Sequence, residues 1–236
     1  MLCLHLSRTP SVIGLFDSGK GGLNTVRYVK ELDERVDLVY LIDRENAPYG
    51  PRGEGELVRI SEENIDRLLD MGAERVLIAC CTASTVYPLL KDNYRKLAVP
   101  IIKPIAKAAK NSTRSGRIGV IATKRTVTSH AFAKALGGCL VSECETGELV
   151  RLIDSGLSDK TVTRGDEKLI ERMIVPVFKT SPDTLILGCT HFPALKKTIG
   201  RIAKKYGAEN IIDSALIGAE LIRREYKKLN EIKNDA

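Results

Sequence analysis

Several features that define other classes of protein are rare or missing in this chain of 236 residues. It contains no tryptophan, and aromatic residues make up 5% of it. No apolar run approaches the roughly 20 residues that a membrane-spanning helix needs, so we expect no membrane partner. The first residues are apolar, but the run is too short and too interrupted to be a signal peptide. This favours a cytoplasmic location.

The cysteines and glycines also lack the spacings of common sites. The six cysteines include no CxxC pair, which argues against a structural zinc site, and a chain of this size can be stable with reduced thiols. The Gly-rich segment from Phe16 to Gly22 matches neither a P-loop nor a GxGxxG dinucleotide motif. We interpret it as a tight turn in which amides and the Ser18 hydroxyl hold a carboxylate. Asp17 would pair with an ammonium group or support a base; simple helix N-capping is the alternative.

The formal charge of +7 is spread along the chain. Scattered lysines and arginines are typical of solvated helix faces, so we expect no nucleic-acid partner. A net positive field favours the approach of a small anionic ligand.

Strand and helix signals alternate throughout, which predicts an α/β fold of parallel sheets in three αβα layers. We expect helices over 55–71, 87–97 and 215–229. The Ile-Gly pair at 13–14 recurs at 118–119, and Cys80 recurs at Cys189 with nearly the same offset, which favours an internal duplication. Two similar domains related by a pseudo-two-fold axis would enclose a cleft. The predicted division is 1–98 plus 208–236 for the first domain and 99–207 for the second.

Two apolar runs, 75–79 and 184–188, each end at a cysteine closely followed by a threonine. Residues just past the carboxyl ends of parallel strands build the sites of α/β proteins. Cys80 and Cys189 would therefore flank one site, with His191 close to Cys189. Helix N-termini would lower the pKa of both thiols. Two such groups suit a reaction that moves a proton from one face of a carbon to the other.

Other interpretations of these thiols remain open at this point. A buried cysteine often serves only as a small apolar side chain. Cys189 and His191 could form the nucleophile and base of a hydrolase, which would leave Cys80 without a role. Cys80 and Cys81 could form a strained redox pair. Cys3, Cys139 and Cys144 are expected to be structural or incidental.

Over about residues 12–214 the chain resembles the cofactor-independent aspartate/glutamate racemase superfamily, and most of all its glutamate racemases. The motifs that carry the resemblance are Gly14–Gly19 with Gly21 and Gly22, Pro48–Gly50, Ala79–Cys80 with Thr82–Ser84, Ile121–Thr123 with Thr126 and Ser129, and Leu187–His191 with Pro193.

The resemblance implies interconversion of L- and D-glutamate by two thiols, without metal or pyridoxal phosphate. Cys80 and Cys189 map to the catalytic pair, with Asp17 assisting the first and His191 the second. The resemblance also implies a closing cleft, a homodimer, and a supply of D-amino acid for peptidoglycan. The positions it assigns to substrate contact are Asp17, Ser18, Tyr49, Gly50, Cys81, Thr82, Thr123, Thr126, Asp154, Thr190 and His191.

The chain departs from the family pattern at two of these positions. Cys81 stands where the family has asparagine, and Asp154 is the nearest match to a family glutamate. A thiol is a much weaker hydrogen-bonding partner than an amide. Aspartate is therefore a rival substrate, and a non-catalytic binder of an anionic amino acid is a further alternative.

Overall fold

The structure is a computed structural model that describes residues 10–235. Strands and helices alternate, as the sequence predicts. The elements of the first half are β1 (Val12–Asp17), α1 (Gly22–Leu32), β2 (Asp37–Ile42), α2 (Glu54–Asp70), β3 (Arg75–Ile78), α3 (Cys81–Ser84), α4 (Asp92–Leu97) and β4 (Ala98–Pro100). Those of the second half are α5 (Ile102–Ser112), β5 (Arg117–Ala122), α6 (Lys124–Thr128), α7 (Ala131–Ala135), β6 (Leu140–Glu145), α8 (Gly147–Asp154), α9 (Arg164–Ile174), β7 (Thr184–Gly188), α10 (Lys196–Lys205), β8 (Asn210–Asp213) and α11 (Ser214–Asp235).

The strands form two parallel sheets of four strands with the same order, β2-β1-β3-β4 and β6-β5-β7-β8. Equivalent strands also pair in equivalent register, since Phe16 lies opposite Ile78 in the first sheet and Ile121 lies opposite Leu187 in the second. Every residue of β7 is buried, as expected of a parallel strand covered on both faces. The predicted architecture of two similar αβα units is confirmed.

The recurring Ile-Gly pair has a packing reason. A Cβ added at Gly14 would lie 3.0 Å from Ala73 Cβ and 3.2 Å from Leu68 Cβ. At the equivalent Gly119 it would lie 3.1 Å from Val177 Cγ2. In both sheets glycine lets the covering segment approach the central strand closely.

The sheets divide the chain differently from the predicted domains. β4 begins at Ala98 and pairs with β3, so the first sheet extends past the predicted boundary after residue 98. β8, placed in the first domain by the prediction, pairs with β7 in the second sheet. A single buried cluster joins both halves through α5 and α11, with Ile13, Ile105, Ile118 and Ile222 among its members. The division into domains stays a prediction.

The helices correct one prediction and confirm another. The helix expected over 87–97 is wrong, because Pro88 lies in a short 3₁₀ turn and α4 begins only at Asp92. The C-terminal helix does return to the first half, where Tyr226 donates a hydrogen bond to the Arg35 carbonyl at 2.9 Å. Within residues 10–235, none of the helices combines the length and the apolar character that a membrane crossing requires.

Candidate active site

The carboxyl ends of the central strands of both sheets face one narrow cleft. Its cavity has a volume of about 60 Å³. The lining residues are Ser18, Pro48, Tyr49, Gly50, Cys80, Cys81, Thr82, Thr123, Val150, Gly188, Cys189, Thr190 and His191. The structure thus brings together most of the residues that the sequence predicts for the site. Asp17, Thr126 and Asp154 do not line the cavity but contact residues that do.

Cys80 lies between β3 and the first turn of α3, with Ser18 beside it. Its Sγ atom is 3.5 Å from the Ser18 hydroxyl oxygen. Burial raises the pKa of the Cys80 thiol to about 11, the nearby Asp17 carboxylate adds to the rise, and the amides of Ala83 and Thr82 partly oppose it. The predicted lowering of this pKa is wrong because desolvation outweighs the helix N-terminus.

Cys189 has a different neighbourhood at the end of β7. Its Sγ atom lies 3.7 Å from His191 Nδ1, and the other ring nitrogen, Nε2, lies 3.4 Å from Asp154 Oδ1. The imidazole thus lies between the buried thiol and a half-exposed carboxylate, within ion-pair distance of Asp154 but without a hydrogen bond at Nε2. Burial raises the pKa of Cys189 as well, against a smaller opposing effect of the His191 amide. A 3₁₀ turn follows, not the α-helix that the sequence suggested.

Asp17 ties the two halves together beneath the cleft. It is 0% exposed, and its Oδ2 atom accepts hydrogen bonds from the Gly22 amide at 2.7 Å and the Thr190 hydroxyl at 2.9 Å. Burial raises the pKa of Asp17, although the nearby His191 and these hydrogen bonds partly lower it. The Asn24 amide group adds a second link by donating to the Thr190 carbonyl at 3.0 Å.

The glycines of the turn after β1 permit this close approach. A Cβ at Gly21 would lie 2.3 Å from Thr190 Oγ1 and 2.7 Å from His191 Nδ1. Any larger residue would push the two halves apart. The Gly-rich segment therefore forms a contact between the two halves. Its Ser18 side chain also places a hydroxyl at the cleft.

Three threonine hydroxyls, contributed by both halves, cluster at the wall of the cleft opposite the Gly-rich turn. Thr82 Oγ1 of the first half lies 2.9 Å from Thr123 Oγ1 of the second. Thr126 Oγ1 is 3.1 Å from Thr123 Oγ1 and 3.5 Å from Thr82 Oγ1, behind the cavity surface. Such a cluster offers donors and acceptors that can reorient around a polar ligand.

Cys81 is 2% exposed and belongs to the apolar cluster shared by the two halves. It also contributes to the cleft wall, and burial raises its pKa well above the ordinary value for a thiol. This position therefore offers a ligand an apolar, protonated group.

The sequence did not identify Pro48, Val150 and Gly188 as lining residues. Pro48 and Gly188 lie inside motifs that were recognised. Val150 gave no signal, because a half-buried apolar residue of α8 looks like any other residue that packs at the edge of a core. Cys3 lies outside the described residues. Within 10–235 no group of three or more His, Cys, Asp or Glu side chains is arranged to hold a metal ion.

The chain is similar to known proteins of one family. Residues 24–222 match the model of the Asp/Glu/hydantoin racemase family. The chain is 38% identical over 197 residues to a glutamate racemase of Exiguobacterium sibiricum, covering 80% of this chain and 71% of the relative. It is 39% identical over 207 residues to one of Aquifex pyrophilus, covering 86% and 78%. A solved glutamate racemase of Bacillus anthracis superposes with a TM-score of 0.78 at 29% identity, covering 92% of this chain and 82% of that one.

Proposed function

This chain belongs to the Asp/Glu/hydantoin racemase family, and we propose that it interconverts L- and D-glutamate by proton transfer between two thiols. The observation that carries the proposal is that Cys80 and Cys189, at the ends of equivalent strands of two sheets, line one small cleft. A hydrolase that used Cys189 and His191 would leave Cys80 without a role. A purely structural role for one buried cysteine would not explain why two cysteines line the same cleft.

The proton balance of the reaction is simple. One cysteine begins as thiolate and takes the α-hydrogen as a proton, which leaves the electron pair on the α-carbon. The other begins as thiol and gives its proton to the opposite face of that carbon. The product has inverted configuration, and the two sulfurs have exchanged protonation states. A following turnover in the reverse sense restores them.

Each thiol has a neighbour suited to its proton transfers. His191, next to Cys189, can take or return a proton, and Asp154 stabilises the imidazolium that results. Asp17 lies close enough to Cys80 to raise its pKa, so its carboxylate favours the protonated sulfur after the α-proton has been taken. The substrate's own ammonium group would oppose this effect and favour the thiolate before transfer.

The donors around the cleft are suited to a dicarboxylate. None of the lining residues is a lysine or an arginine, so uncharged N–H and O–H groups would hold the substrate carboxylates. Ser18, Thr82 and Thr123 supply hydroxyls at the surface, whereas the Thr190 hydroxyl donates to Asp17. Such hydroxyl dipoles, in a site that excludes water, would stabilise charge that develops at the α-carbon.

The cleft has to open before it admits a substrate. Its volume of about 60 Å³ is far below the roughly 300–1,000 Å³ typical of small-molecule sites. The links between halves made by Asp17, Asn24 and the threonine cluster would break or stretch on opening. Re-forming them on closure would exclude water around the substrate.

The test is circular dichroism of separate solutions of L- and D-glutamate and of L- and D-aspartate with the enzyme. We expect the signal of both glutamate isomers to decay to zero, with solvent deuterium entering the α-position in D₂O. Faster decay with aspartate would assign the enzyme to aspartate. No decay with any of the four would favour the binder, for which Cys81 in the cleft wall is the specific argument. The homodimer and the cytoplasmic location stay predictions.

A further inference from the structure

A buried group of polar side chains lies behind the wall that Tyr49 and Gly50 form. Asp43, just after β2, is 2% exposed, and Asn64 of α2 is 1% exposed. The Tyr49 hydroxyl donates a hydrogen bond to Asp43 Oδ2 at 2.6 Å and accepts one from Asn64 Nδ2 at 2.8 Å. A phenol has a single proton to donate, so this hydroxyl has none left for a ligand.

Asp43 is itself held firmly. Its amide donates to the Asp17 carbonyl at 3.0 Å, which fixes it to the end of β1. Its carboxylate also accepts from Asn64 Nδ2 at 3.0 Å and from the Asn46 side chain at 2.9 Å. Burial alone would raise the pKa of Asp43, but the hydrogen bonds from Tyr49, Asn64 and Asn46 hold it below the ordinary value. The bond to Tyr49 is therefore charge-assisted at neutral pH.

The turn that Tyr49 occupies carries few donors. Pro48 and Pro51 have no N–H group, so the segment between them offers only the amides of Tyr49 and Gly50. Neither amide donates a hydrogen bond to any part of residues 10–235. Both residues line the cleft together with Cys80. Two adjacent free amides beside a thiol suit an anionic oxygen.

We infer that Asp43 is a positioning residue, which through the Tyr49 hydroxyl aims the amides of Tyr49 and Gly50 at a carboxylate of the substrate. This inference rests on the proposed function, because it names how the same cleft holds an acidic amino acid. It also gives Tyr49 a role different from direct side-chain contact. The Tyr49 ring forms part of the cleft wall, and its hydroxyl fixes the position of the turn. The backbone amides of the turn then bind the carboxylate.

Tyr49→Phe tests the inference, because it removes only the hydroxyl. Tyr94→Phe is the matched control, since Tyr94 donates an equivalent hydrogen bond to Asp66 Oδ2 at 2.7 Å on the exposed surface. We expect Tyr49→Phe to raise KM about tenfold and to change kcat by less than about threefold, since a carboxylate hydrogen bond is weakened while the thiols are untouched. Asp43→Asn, which keeps an acceptor but loses the charge, should give a smaller rise in KM.

A second measurement does not depend on activity. In ¹⁵N relaxation, rigid backbone amides have order parameters of about 0.85 and flexible ones fall below about 0.6. We expect the Tyr49 and Gly50 amides to be rigid in the parent and in Tyr94→Phe, and flexible in Tyr49→Phe. If these amides stay rigid in Tyr49→Phe, the inference is overturned. It is also overturned if the parent is active and Tyr49→Phe leaves its KM unchanged. A parent that racemises no acidic amino acid defeats the proposed function, and the relaxation result then decides the positioning role alone.

Discussion

The surroundings of Cys80 and Cys189 differ although the two thiols occupy equivalent places in two sheets of the same strand order. Cys80 has a hydroxyl, two amides of α3 and a buried carboxylate nearby. Cys189 has an imidazole that continues to a half-exposed carboxylate. The repeated fold places the sulfurs, whereas the loops after β1 and β7 give each sulfur its own chemistry.

This asymmetry matters because burial raises the pKa of both thiols. Burial therefore favours the protonated form of both sulfurs, and the proposed mechanism requires one of these protons to leave before the reaction starts. His191 lies between Cys189 and the half-exposed Asp154, on the side of this thiol that leads toward solvent. Cys80 contacts the Ser18 hydroxyl, and the nearby Asp17 carboxylate is hydrogen-bonded to Gly22 and Thr190 inside the protein.

The largest effect is expected when either sulfur is removed. Cys80→Ser and Cys189→Ser should each lower the rate of racemisation by about a thousandfold or more, because serine is a far weaker acid than cysteine. Circular dichroism on both isomers of glutamate measures the loss. Cys144→Ser is the control, since Cys144 is as buried as Cys189, at 8% exposed, but lies in β6 away from the cleft.

Each single variant should still remove a proton from one face, because the other sulfur remains. A substrate analogue that carries a leaving group would then undergo elimination from one isomer only. If either variant racemises at the parental rate, the assignment of the two thiols is wrong.

The next effect tests whether the two surroundings have separate roles. Asp17→Asn and His191→Asn should each lower kcat about a hundredfold, by slowing proton transfer at one sulfur. A slower step at one sulfur enlarges the α-deuterium isotope effect only for the isomer whose proton that sulfur removes. We therefore expect the two variants to enlarge the isotope effect for opposite isomers. Enlargement for the same isomer in both would show that the two surroundings act on one thiol.

A third effect concerns stability and pH. The unfolded-state pKa of a thiol is 9.0 and that of Cys80 in the folded protein is about 11. Between these values the unfolded chain loses the proton first, so the stability that Cys80 contributes is complete below pH 9 and is lost as the pH rises through 11.

Between pH 8 and pH 10.5, which stops short of the folded-state pKa, the loss attributable to Cys80 is about 2 kcal/mol. Urea denaturation of the parent and of Cys80→Ser at pH 8 and pH 10.5 measures it, and the difference between the two proteins cancels the other titrating groups. Equal losses in both proteins over this range would show that burial does not protect the Cys80 proton.

The sequence predicted the elements that depend on local pattern and on repetition. Buried strands, the cysteines at their ends and the equivalence of the halves all follow from apolar runs and spacing. The sign of the thiol pKa shifts could not be predicted, because it depends on how much water the closed cleft excludes.

Contacts between distant parts of the chain were equally beyond the sequence. Nothing local indicates that Asp17 accepts a hydrogen bond from Thr190, or that Gly21 is glycine because His191 approaches it. The same holds for Asp43 and Tyr49, whose link depends on the path of the loop between them. Val150 lines the cleft because α8 packs beside the 3₁₀ turn that follows β7, far along the chain.

The smallest expected effect concerns Cys81, which lies beside Cys80 and has no equivalent beside Cys189, where Thr190 follows directly. Cys81→Asn would add an amide to the cleft wall, where it can hydrogen-bond a substrate group. We expect kcat/KM for glutamate to rise about tenfold, the value of one hydrogen bond to a charged group. Without substrate the buried amide lacks partners in an apolar cluster, so the variant should also unfold about 1–3 kcal/mol more easily. Cys81→Ser separates added polarity from the amide itself. Unchanged or lower kcat/KM for glutamate in Cys81→Asn would mean that the surrounding cleft is already adapted to a thiol at this position.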